Sequence, residues 1–298
     1  MRATKLSVGW IGAGKMGNPM SRQLLAAGAA VVVFDTVEAN TASVVAAGGR
    51  RASSVADAAG GADVAMSMIP NDAVLRAVAT GAGGVLETLA PGAVYVDMST
   101  VSPEVSAEVA AAAQARGIAY LRAPVSGSTA LAETGNLTIM VSGPADAFAR
   151  CESLFDAMGA RYFHVGDGEQ ARYLKLVLNL LVGTTGAVLA EALTLGRKGG
   201  LDWATMIDVI AESAAASPYV KYNAEPLKAR DFAPLFTTGQ MVKDANLICE
   251  AGEAVGVPLT IGEAMRQHFL DTQAAGHNDK NLTAALLVVE EKAGLGEP

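Results

Sequence analysis

The sequence predicts an α/β fold in which a doubly wound parallel sheet is followed by an all-α domain. Two patterns carry this prediction. Up to about residue 165, short apolar runs alternate with alanine-rich stretches of helical periodicity, and such alternation implies parallel strands joined by helical crossovers. After Gly168 the apolar residues keep a helical period, and no further strand is predicted.

The apolar runs of the first half form the predicted strands, and helical stretches connect them. The predicted strands are Leu6–Ile11, Ala30–Asp35, Val64–Ile69, Ala93–Asp97, Ile118–Arg122, Leu137–Ser142 and Arg161–Val165. The predicted helices between them are Met16–Ala27, Ala39–Ala47, Ala73–Ala79, Pro103–Arg116 and Ala145–Met158.

The second half reads as helices separated by the turn sequences KGGLD, ASP, GVP and AGHND. The predicted helices are Leu174–Arg197, Trp203–Ser213, Met241–Ala254, Ile261–Ala274 and Leu282–Ala293. We therefore predict a sheet domain over residues 1–167 and a helical domain over residues 168–298.

Composition limits the classes of partner. The chain has 298 residues, of which 51% are hydrophobic and 17% charged, so much of its surface must be hidden within the fold or between subunits. This favours a homodimer or homotetramer. The net charge of −8 comes without any cluster of Lys and Arg, which argues against nucleic acid and favours a small-molecule partner.

The cysteines and the first residues indicate a compartment. Cys151 and Cys249 are far apart, which predicts neither a disulfide framework nor a metal site. The first apolar run is short and interrupted by glycine, unlike a signal peptide. We expect a cytoplasmic protein.

The most apolar stretch, residues 174–195, is almost long enough to span a bilayer. It is either a membrane span or a helix buried between domains or subunits. Lys175, Asn179, Thr184, Thr185 and Glu191 interrupt it, and charged groups are costly at bilayer depth. The interruptions favour the buried helix, and we expect no membrane partner.

A glycine-rich turn follows the first predicted strand and opens the first helix. Gly12, Gly14 and Gly17 form the pattern G-x-G-x-x-G. Such glycines permit a tight turn, a close approach of the backbone to a pyrophosphate, and close packing of helix on strand. Alone, the pattern is equally typical of an ordinary turn. In this strand–turn–helix context it predicts a Rossmann-type dinucleotide site. The residues expected to line it are Gly12, Ala13, Gly14, Lys15, Met16 and Gly17.

Asp35 ends the second predicted strand, at the position where an acid can accept hydrogen bonds from the ribose hydroxyls. Its carboxylate would repel a 2′-phosphate, and the next residue is Thr36 rather than an arginine. This predicts NAD as the cofactor, with NADP possible. The alternative is that Asp35 is a solvated residue or a helix cap.

Several segments of the chain, taken together and in order, resemble the β-hydroxyacid dehydrogenase family. They are GWIGAGKMGNPM, SMIP, VDMSTVSP, APVSGSTALAETGNLTIMVSG, YLKLVLN and MVKDANL. The family includes 3-hydroxyisobutyrate dehydrogenases and tartronate semialdehyde reductases, with 6-phosphogluconate dehydrogenases as more distant relatives. The resemblance implies hydride transfer between a nicotinamide cofactor and a small β-hydroxy acid, or its semialdehyde.

The resemblance also implies residues on the cofactor side. Met68, Ile69 and Pro70 would lie along the adenosine side, and Thr100 near the nicotinamide ribose. The alternatives are turns in which Asn71 caps one helix, and Ser99 or Thr100 caps the helix that starts at Pro103.

The segment PVSG resembles the family's substrate loop. Ser126, Gly127 and Ser128 would hold the carboxylate of the substrate through a hydroxyl and backbone N–H groups, although any tight loop can have this composition. The usual family sequence here is D-A-P-V-S-G-G. Arg122 replaces the acid and Ser128 the second glycine, which bears on which substrate is bound.

Lys175 and Asn179 are four residues apart in an apolar stretch, so they share one helix face. By resemblance Lys175 is the general base that takes the proton of the substrate hydroxyl, and Asn179 holds the reacting oxygen. On their own, the two residues favour the alternative of a lysine at a helix end and a buried polar spacer, and only the upstream motifs favour the catalytic role. The family usually has glycines just before this lysine; here Gly168 lies further off, and Glu169, Gln170 and Ala171 intervene.

Lys243 resembles the family's second lysine, near the nicotinamide or the substrate acid, with Asp244 as a possible partner; the alternative is a surface ion pair. Tyr219, Lys221, Tyr222 and Phe236 are candidates for the substrate tail that the sequence does not rank. The histidines His164, His268 and His277 have no ligand spacing, and we expect no metal.

Two other functions fit the same fold. An imine reductase would lack the basic lysine, and a non-catalytic NAD(P)-binding module would have lost it as well. The presence of Lys175 favours the dehydrogenase over both.

Overall fold

The computed structural model describes residues 5–296, and within them the predicted fold class is confirmed: a parallel sheet flanked by helices, then helices alone. The chain divides into two compact units, one ending at Lys175 and the other beginning at Leu176. This division falls inside a long helix, after the domain boundary of residues 167 and 168 that the sequence suggests. The first turns of that helix belong to the first unit, where Arg172 is buried.

The first unit is built on a six-stranded sheet with the order β3-β2-β1-β4-β5-β6, in which every neighbouring pair is parallel. The strand order reverses beside β1, and nucleotides bind at the carboxyl edge of such sheets at this point. The strands are β1 Ser7–Ile11, β2 Ala30–Phe34, β3 Arg50–Arg51, β4 Val64–Ser67, β5 Val94–Asp97 and β6 Ala119–Arg122.

Helices cover both faces of this sheet, and two apolar cores fill the space between the layers. Because helices bury both faces, β4 and β5 are buried along their whole length and read as continuous apolar runs. The helices of this unit are α1 Gly17–Ala26, α2 Ala42–Ala46, α3 Val55–Ala59, α4 Asp72–Thr80, α5 Val85–Thr88, α6 Pro103–Gln114, α7 Thr129–Glu133 and α8 Ala145–Met158.

The last two predicted strands do not join this sheet, which corrects the expectation of one continuous doubly wound sheet. They form a separate three-stranded sheet of β7 Val125–Ser126, β8 Leu137–Val141 and β9 Gly159–His164, in which β7 is antiparallel to β8. An isolated antiparallel bridge between Arg122 and Ser142 links the two sheets. This bridge keeps the register of β7 on β8, so the chain continues from β6 into β7 in one direction. The chain turns back through α7, and β8 is therefore antiparallel to both and cannot extend the parallel series.

The second unit is helical. Its helices are the remainder of α9 Gln170–Lys198, then α10 Trp203–Glu212, α11 Pro218–Lys228, α12 Thr238–Ala254, α13 Thr260–Thr272 and α14 Ala285–Lys292. A capping box begins α12, where Thr237 and Gln240 satisfy each other's backbone N–H groups. The helix α11, which is polar and has Pro226 in its interior, was not predicted from the sequence.

By length and composition alone, α9 could cross a membrane. About half of its most apolar stretch, 44%, is buried inside the protein. The exposed part carries a row of large apolar side chains at helical spacing, namely Val177, Leu181, Val188 and Leu195. One face of α9 thus packs inside the protein, and the other carries these exposed apolar side chains.

Candidate active site and cofactor loop

The glycine-rich turn after β1 contains three glycines with three different environments. Gly12 has a φ of +91°, and a Cβ atom there would lie 2.3 Å from the carbonyl oxygen of Met68. A Cβ atom at Gly17 would lie 1.9 Å from the carbonyl oxygen of Gly12. Both glycines are therefore required by the backbone around them.

Gly14 has no such reason to be glycine. Its φ is not in the left-handed region, and an added Cβ atom would have no described atom within 4 Å. Next to it, α1 begins without a side-chain cap on its first N–H groups. An open cradle above uncapped N–H groups is the surface that a pyrophosphate requires, so these residues fit a dinucleotide.

Asp35, directly after β2, is bound to this turn. Its Oδ2 accepts a hydrogen bond of 2.7 Å from the N–H of Ala13, and its Oδ1 accepts from the N–H of Val37 and from the side-chain amide of Asn40. A carboxylate offers about four acceptor positions. Asp35 thus fixes the turn and retains room for a ribose hydroxyl, so it is more than a solvated residue at a strand end.

The turns after β4 and β5 lie side by side. The N–H of Ile69 donates a hydrogen bond of 2.9 Å to the Oγ of Ser99, and Asn71 caps α4 by accepting from Val74 N–H. The cap of α6 is Ser102, which accepts from Val105 N–H. The alternative that Ser99 or Thr100 caps this helix is therefore wrong, because Ser99 is buried beside Asp97.

Sequence reasoning missed a buried polar network below these turns. Asp97 and Arg172 are fully buried and form an ion pair of 2.6 Å between Oδ2 and a guanidinium nitrogen. Burial raises the pKa of Tyr120 to about 12, so its hydroxyl stays protonated beside Arg172. The available signal was a second charged residue three positions before Lys175 in an apolar helix.

Lys175 lies on α9 one turn after Arg172, is partly buried, and ends the first unit. Asn179 follows one turn later and is buried. In the second unit the side-chain amide of Asn179 donates a hydrogen bond of 2.5 Å to the Oδ2 of Asp244. The Nζ of Lys243 lies 2.8 Å from the Oδ1 of the same carboxylate.

The burial of Asp244 bears on the alternative that Lys243 and Asp244 form a surface ion pair. The Asp244 side chain is 3% exposed, so the pair with Lys243 is not a surface ion pair of the kind that contributes little. The structure therefore joins Asn179, Asp244 and Lys243 into one cluster. Among the tail candidates, Tyr219 is buried while Tyr222 is exposed, with their rings 5.6 Å apart.

The predicted substrate loop comprises the end of β7 and the start of α7. Gly127 has a φ of +142°, and a Cβ atom there would lie 2.8 Å from a methyl group of Leu137. Ser128 precedes α7 and its side chain makes no capping hydrogen bond. Ser126 is partly exposed at the end of β7.

The chain resembles known proteins over nearly all of its length. A family profile for the NAD binding domain of 6-phosphogluconate dehydrogenase matches residues 7–166, and a second, for the NAD-binding region of NADP-dependent 3-hydroxyisobutyrate dehydrogenase, matches residues 168–289. The chain belongs to the β-hydroxyacid dehydrogenase family. The predicted class of activity is thereby confirmed: an NAD(P)-dependent dehydrogenase of hydroxy acids.

Individual relatives in this family match from end to end. The chain is 38% identical to 2-(hydroxymethyl)glutarate dehydrogenase of Eubacterium barkeri, over 97% of both chains. It is 34% identical to 3-hydroxyisobutyrate dehydrogenase of Pseudomonas aeruginosa, over 91% of this chain and 94% of the other. A structure of Mycobacterium tuberculosis 3-hydroxyisobutyrate dehydrogenase with L-serine superposes with a TM-score of 0.87 and 29% identity, over 96% and 99% of the two chains.

Two departures from the β-hydroxyacid dehydrogenase pattern pair with each other. Arg122 stands where the usual acid would be and donates hydrogen bonds to Glu169. Glu169 is one of the residues that intervene between Gly168 and the lysine. Both side chains are largely buried, and the guanidinium also stacks over the ring of Tyr120 at 4.8 Å. In this structure Arg122 is therefore bound to the start of α9.

Proposed function

We propose that this protein oxidises a small β-hydroxy acid of the 3-hydroxyisobutyrate type with NAD, and reduces the corresponding semialdehyde in the reverse direction. The observation that carries this proposal is that Lys175 and Asn179 share one face of α9, in a chain whose first turn fits a dinucleotide. A base and an amide one turn apart are the groups that a hydroxyl undergoing oxidation requires.

The glycine turn and the uncapped start of α1 would hold the pyrophosphate, and the backbone of Met68, Ile69 and Pro70 would line the adenosine side. Thr100 would contact the nicotinamide ribose. When bound, the cofactor supplies the ring carbon that exchanges hydride with the substrate.

Lys175 holds the position of the general base. In this role its Nζ takes the proton of the substrate hydroxyl during oxidation and returns it during reduction. In that role the amine must be neutral when the substrate hydroxyl meets it. The side chain of Asn179 then binds the reacting oxygen, and Lys243 contributes positive charge on the cofactor or substrate side.

The carboxylate of the substrate would bind at Ser126, Gly127 and Ser128. A side chain at Gly127 would collide with Leu137, so the position remains glycine. Without a side chain there, the backbone of the loop stays accessible. Ser128 adds a hydroxyl where the family usually has glycine. A second polar group on the substrate would find its partner here.

We infer a preference for NAD from Asp35. Its carboxylate is fixed by the N–H groups of Ala13 and Val37, so it cannot turn away from an incoming 2′-phosphate. Like charges in that position repel, and no arginine follows Asp35.

The test measures NAD reduction at 340 nm over 3-hydroxyisobutyrate, L-serine and 2-(hydroxymethyl)glutarate, with an imine substrate in a separate arm. We expect turnover of at least one hydroxy acid, and loss of at least about 10³-fold in Lys175→Met with NAD still bound. Lys198→Met, an exposed lysine at the end of the same helix, is the matched control. Turnover that survives in Lys175→Met, or activity on the imine alone, contradicts the proposal.

We further propose that the chain forms a homodimer or homotetramer in the cytoplasm, with no membrane or nucleic-acid partner. The oligomer is supported by the exposed row of Val177, Leu181, Val188 and Leu195, because large apolar side chains on one face of a helix are costly in water. Light scattering of the purified protein tests it. Leu195→Lys should shift the protein towards monomer, and a monomer in the unmodified protein would contradict the proposal.

A further inference from the structure

One guanidinium group joins the start of α9 to three other segments of the first unit. Arg172 is 1% exposed and Asp97 is 0% exposed. From Arg172, hydrogen bonds go to the Oδ2 of Asp97 at 2.6 Å, the hydroxyl of Tyr120 at 2.9 Å, the carbonyl oxygen of Ser99 at 2.7 Å and the Oγ of Ser106 at 3.1 Å. A planar fork of fixed donors that meets four acceptors leaves the helix turn little freedom.

The other carboxylate oxygen of Asp97 binds residues at the ends of two neighbouring strands, β4 and β5. Its Oδ1 accepts hydrogen bonds from Ser67 Oγ at 2.6 Å and Ser99 Oγ at 2.7 Å. Because the Ser99 hydroxyl donates its proton to Asp97, its oxygen is free to accept from the N–H of Ile69. The turns after β4 and β5, which we place on the cofactor side, are therefore both tied to Asp97.

Stability alone is a weak reason for this ion pair. A buried pair must repay the desolvation of both charges, and well-packed apolar residues of similar volume are often as stabilising. What apolar residues cannot supply is direction: a fixed distance and angle between one helix turn and two strand ends. Lys175 lies three residues after Arg172, on the same face of that helix turn.

We propose that Asp97 and Arg172 are positioning residues, which hold the helix turn bearing Lys175 in fixed register with the Ile69 and Ser99 turns. This inference rests on the proposed role of Lys175 as the base. The pair touches neither substrate nor cofactor in this role. It acts by keeping the amine at the distance from the cofactor side that proton transfer requires.

The test compares Arg172→Met, Arg172→Lys and the double variant Arg172→Met/Asp97→Asn with the unmodified protein. The substrate is whichever of 3-hydroxyisobutyrate, L-serine and 2-(hydroxymethyl)glutarate the unmodified protein oxidises. In the double variant the amide oxygen of the new side chain would still accept from both serines, so the cofactor-side turns keep their links. Arg197→Met, which breaks an ion pair with the buried Glu290 in the second unit, is the matched control for loss of stability.

We expect kcat to fall about 100-fold in all three variants, as a displacement of about 1 Å would cause, with the Kd for NAD within about threefold of normal. Arg172→Lys should not rescue kcat, because one ammonium group cannot bridge four acceptors. Arg197→Met should lower the unfolding temperature without these changes.

Two results would overturn the inference. One is normal kcat in Arg172→Met below its unfolding temperature. The other is recovery of kcat in Arg172→Met/Asp97→Leu whenever that variant regains the unfolding temperature of the unmodified protein, because the pair would then serve stability only. Lys175→Met is measured alongside: if it keeps turnover, the proposed function itself fails, whatever Arg172 does.

Discussion

The carboxylate of Asp244 accepts a hydrogen bond of 2.5 Å from the side-chain amide of Asn179, 65 residues away in the sequence. A carboxylate can only accept, so the NH₂ group of Asn179 must face Asp244. The orientation of the amide is thereby fixed, with its carbonyl oxygen directed away from Asp244. Asp244 also lies 2.8 Å from Lys243, so one buried acid sets the positions of two polar side chains.

Asp244→Asn should lower kcat by about 10- to 100-fold, because a hydrogen bond to a charged group is worth about 1.5–3 kcal/mol and each 1.4 kcal/mol is tenfold in rate. A neutral Asn can face Asn179 in either amide orientation, so the fixed direction is lost. Steady-state kinetics with the best substrate measure this. Asp208→Asn, on an exposed carboxylate, is the control; equal rates in both variants would show that Asp244 does not orient Asn179.

Gly14→Ala should fold normally and bind NAD at least about tenfold more weakly. The added methyl group meets no described atom within 4 Å, so it would occupy only the space assigned to the pyrophosphate. Isothermal titration with NAD and a thermal melt without it measure the two effects separately.

Gly17→Ala is the contrasting variant. Its methyl group would lie 1.9 Å from the carbonyl oxygen of Gly12, and the backbone must move to accept it. Overpacking of this kind costs about 1–3 kcal/mol or more, so the unfolding temperature should fall even without NAD. Normal NAD affinity in Gly14→Ala would place the pyrophosphate elsewhere.

The parts of this structure that neighbouring residues determine could be predicted, and the parts that distant residues determine could not. The glycine turn and Asp35 follow from a local pattern of strand, turn and helix. The pairing of Asp97 with Arg172 joins residues 75 positions apart. A charged residue in the apolar α9 indicates that Arg172 needs a partner, but the sequence does not say which residue that partner is. The same holds for Arg122 and Glu169, 47 positions apart.

The small second sheet shows the same limit. The apolar run of β8 predicts a strand correctly, but a run buried on both sides does not say which sheet it joins. The helix α11 was missed for a different reason, since its residues are polar and include Pro226, which sequence patterns count against a helix.

Asp35→Asn should reduce the discrimination between NAD and NADP by about 1–3 kcal/mol, which is the worth of hydrogen bonds to a charged group. The carbonyl oxygen of Asn can replace Oδ2 as the acceptor for Ala13 N–H, while its NH₂ group gives up the bonds from Val37 and Asn40. The link to the glycine turn is kept and the repulsion of a 2′-phosphate disappears. The ratio of kcat/KM for the two cofactors measures the change. Asp146→Asn, exposed on α8, is the control; an unmodified protein that prefers NADP would overturn the assignment.

The stability of the helical unit should fall as pH drops towards 5, and His268 should carry part of this dependence. Burial lowers the pKa of His268, and its Nε2 is buried without a hydrogen-bond partner among residues 5–296. Glu191 and Asp271 act in the opposite direction and raise this pKa, whereas Lys292 lowers it further.

The sign follows from the two pKa values. The folded-state pKa of His268 lies below its unfolded value of about 6.5, so the unfolded chain binds more protons in the interval between them. Its contribution to stability is therefore complete above about pH 6.5 and is lost as pH falls through the folded-state pKa. The pKa of His277 is also lowered, mainly by burial, and contributes with the same sign.

His268→Gln should therefore flatten the dependence of the urea midpoint on pH between about 7 and 5, because glutamine does not titrate. The slope of the midpoint with pH is the quantity compared, since the substitution also changes packing equally at every pH. His277→Gln should flatten the curve less, and the double variant most. An unchanged slope in His268→Gln would mean that this imidazole is protonated equally easily in the folded and unfolded chains.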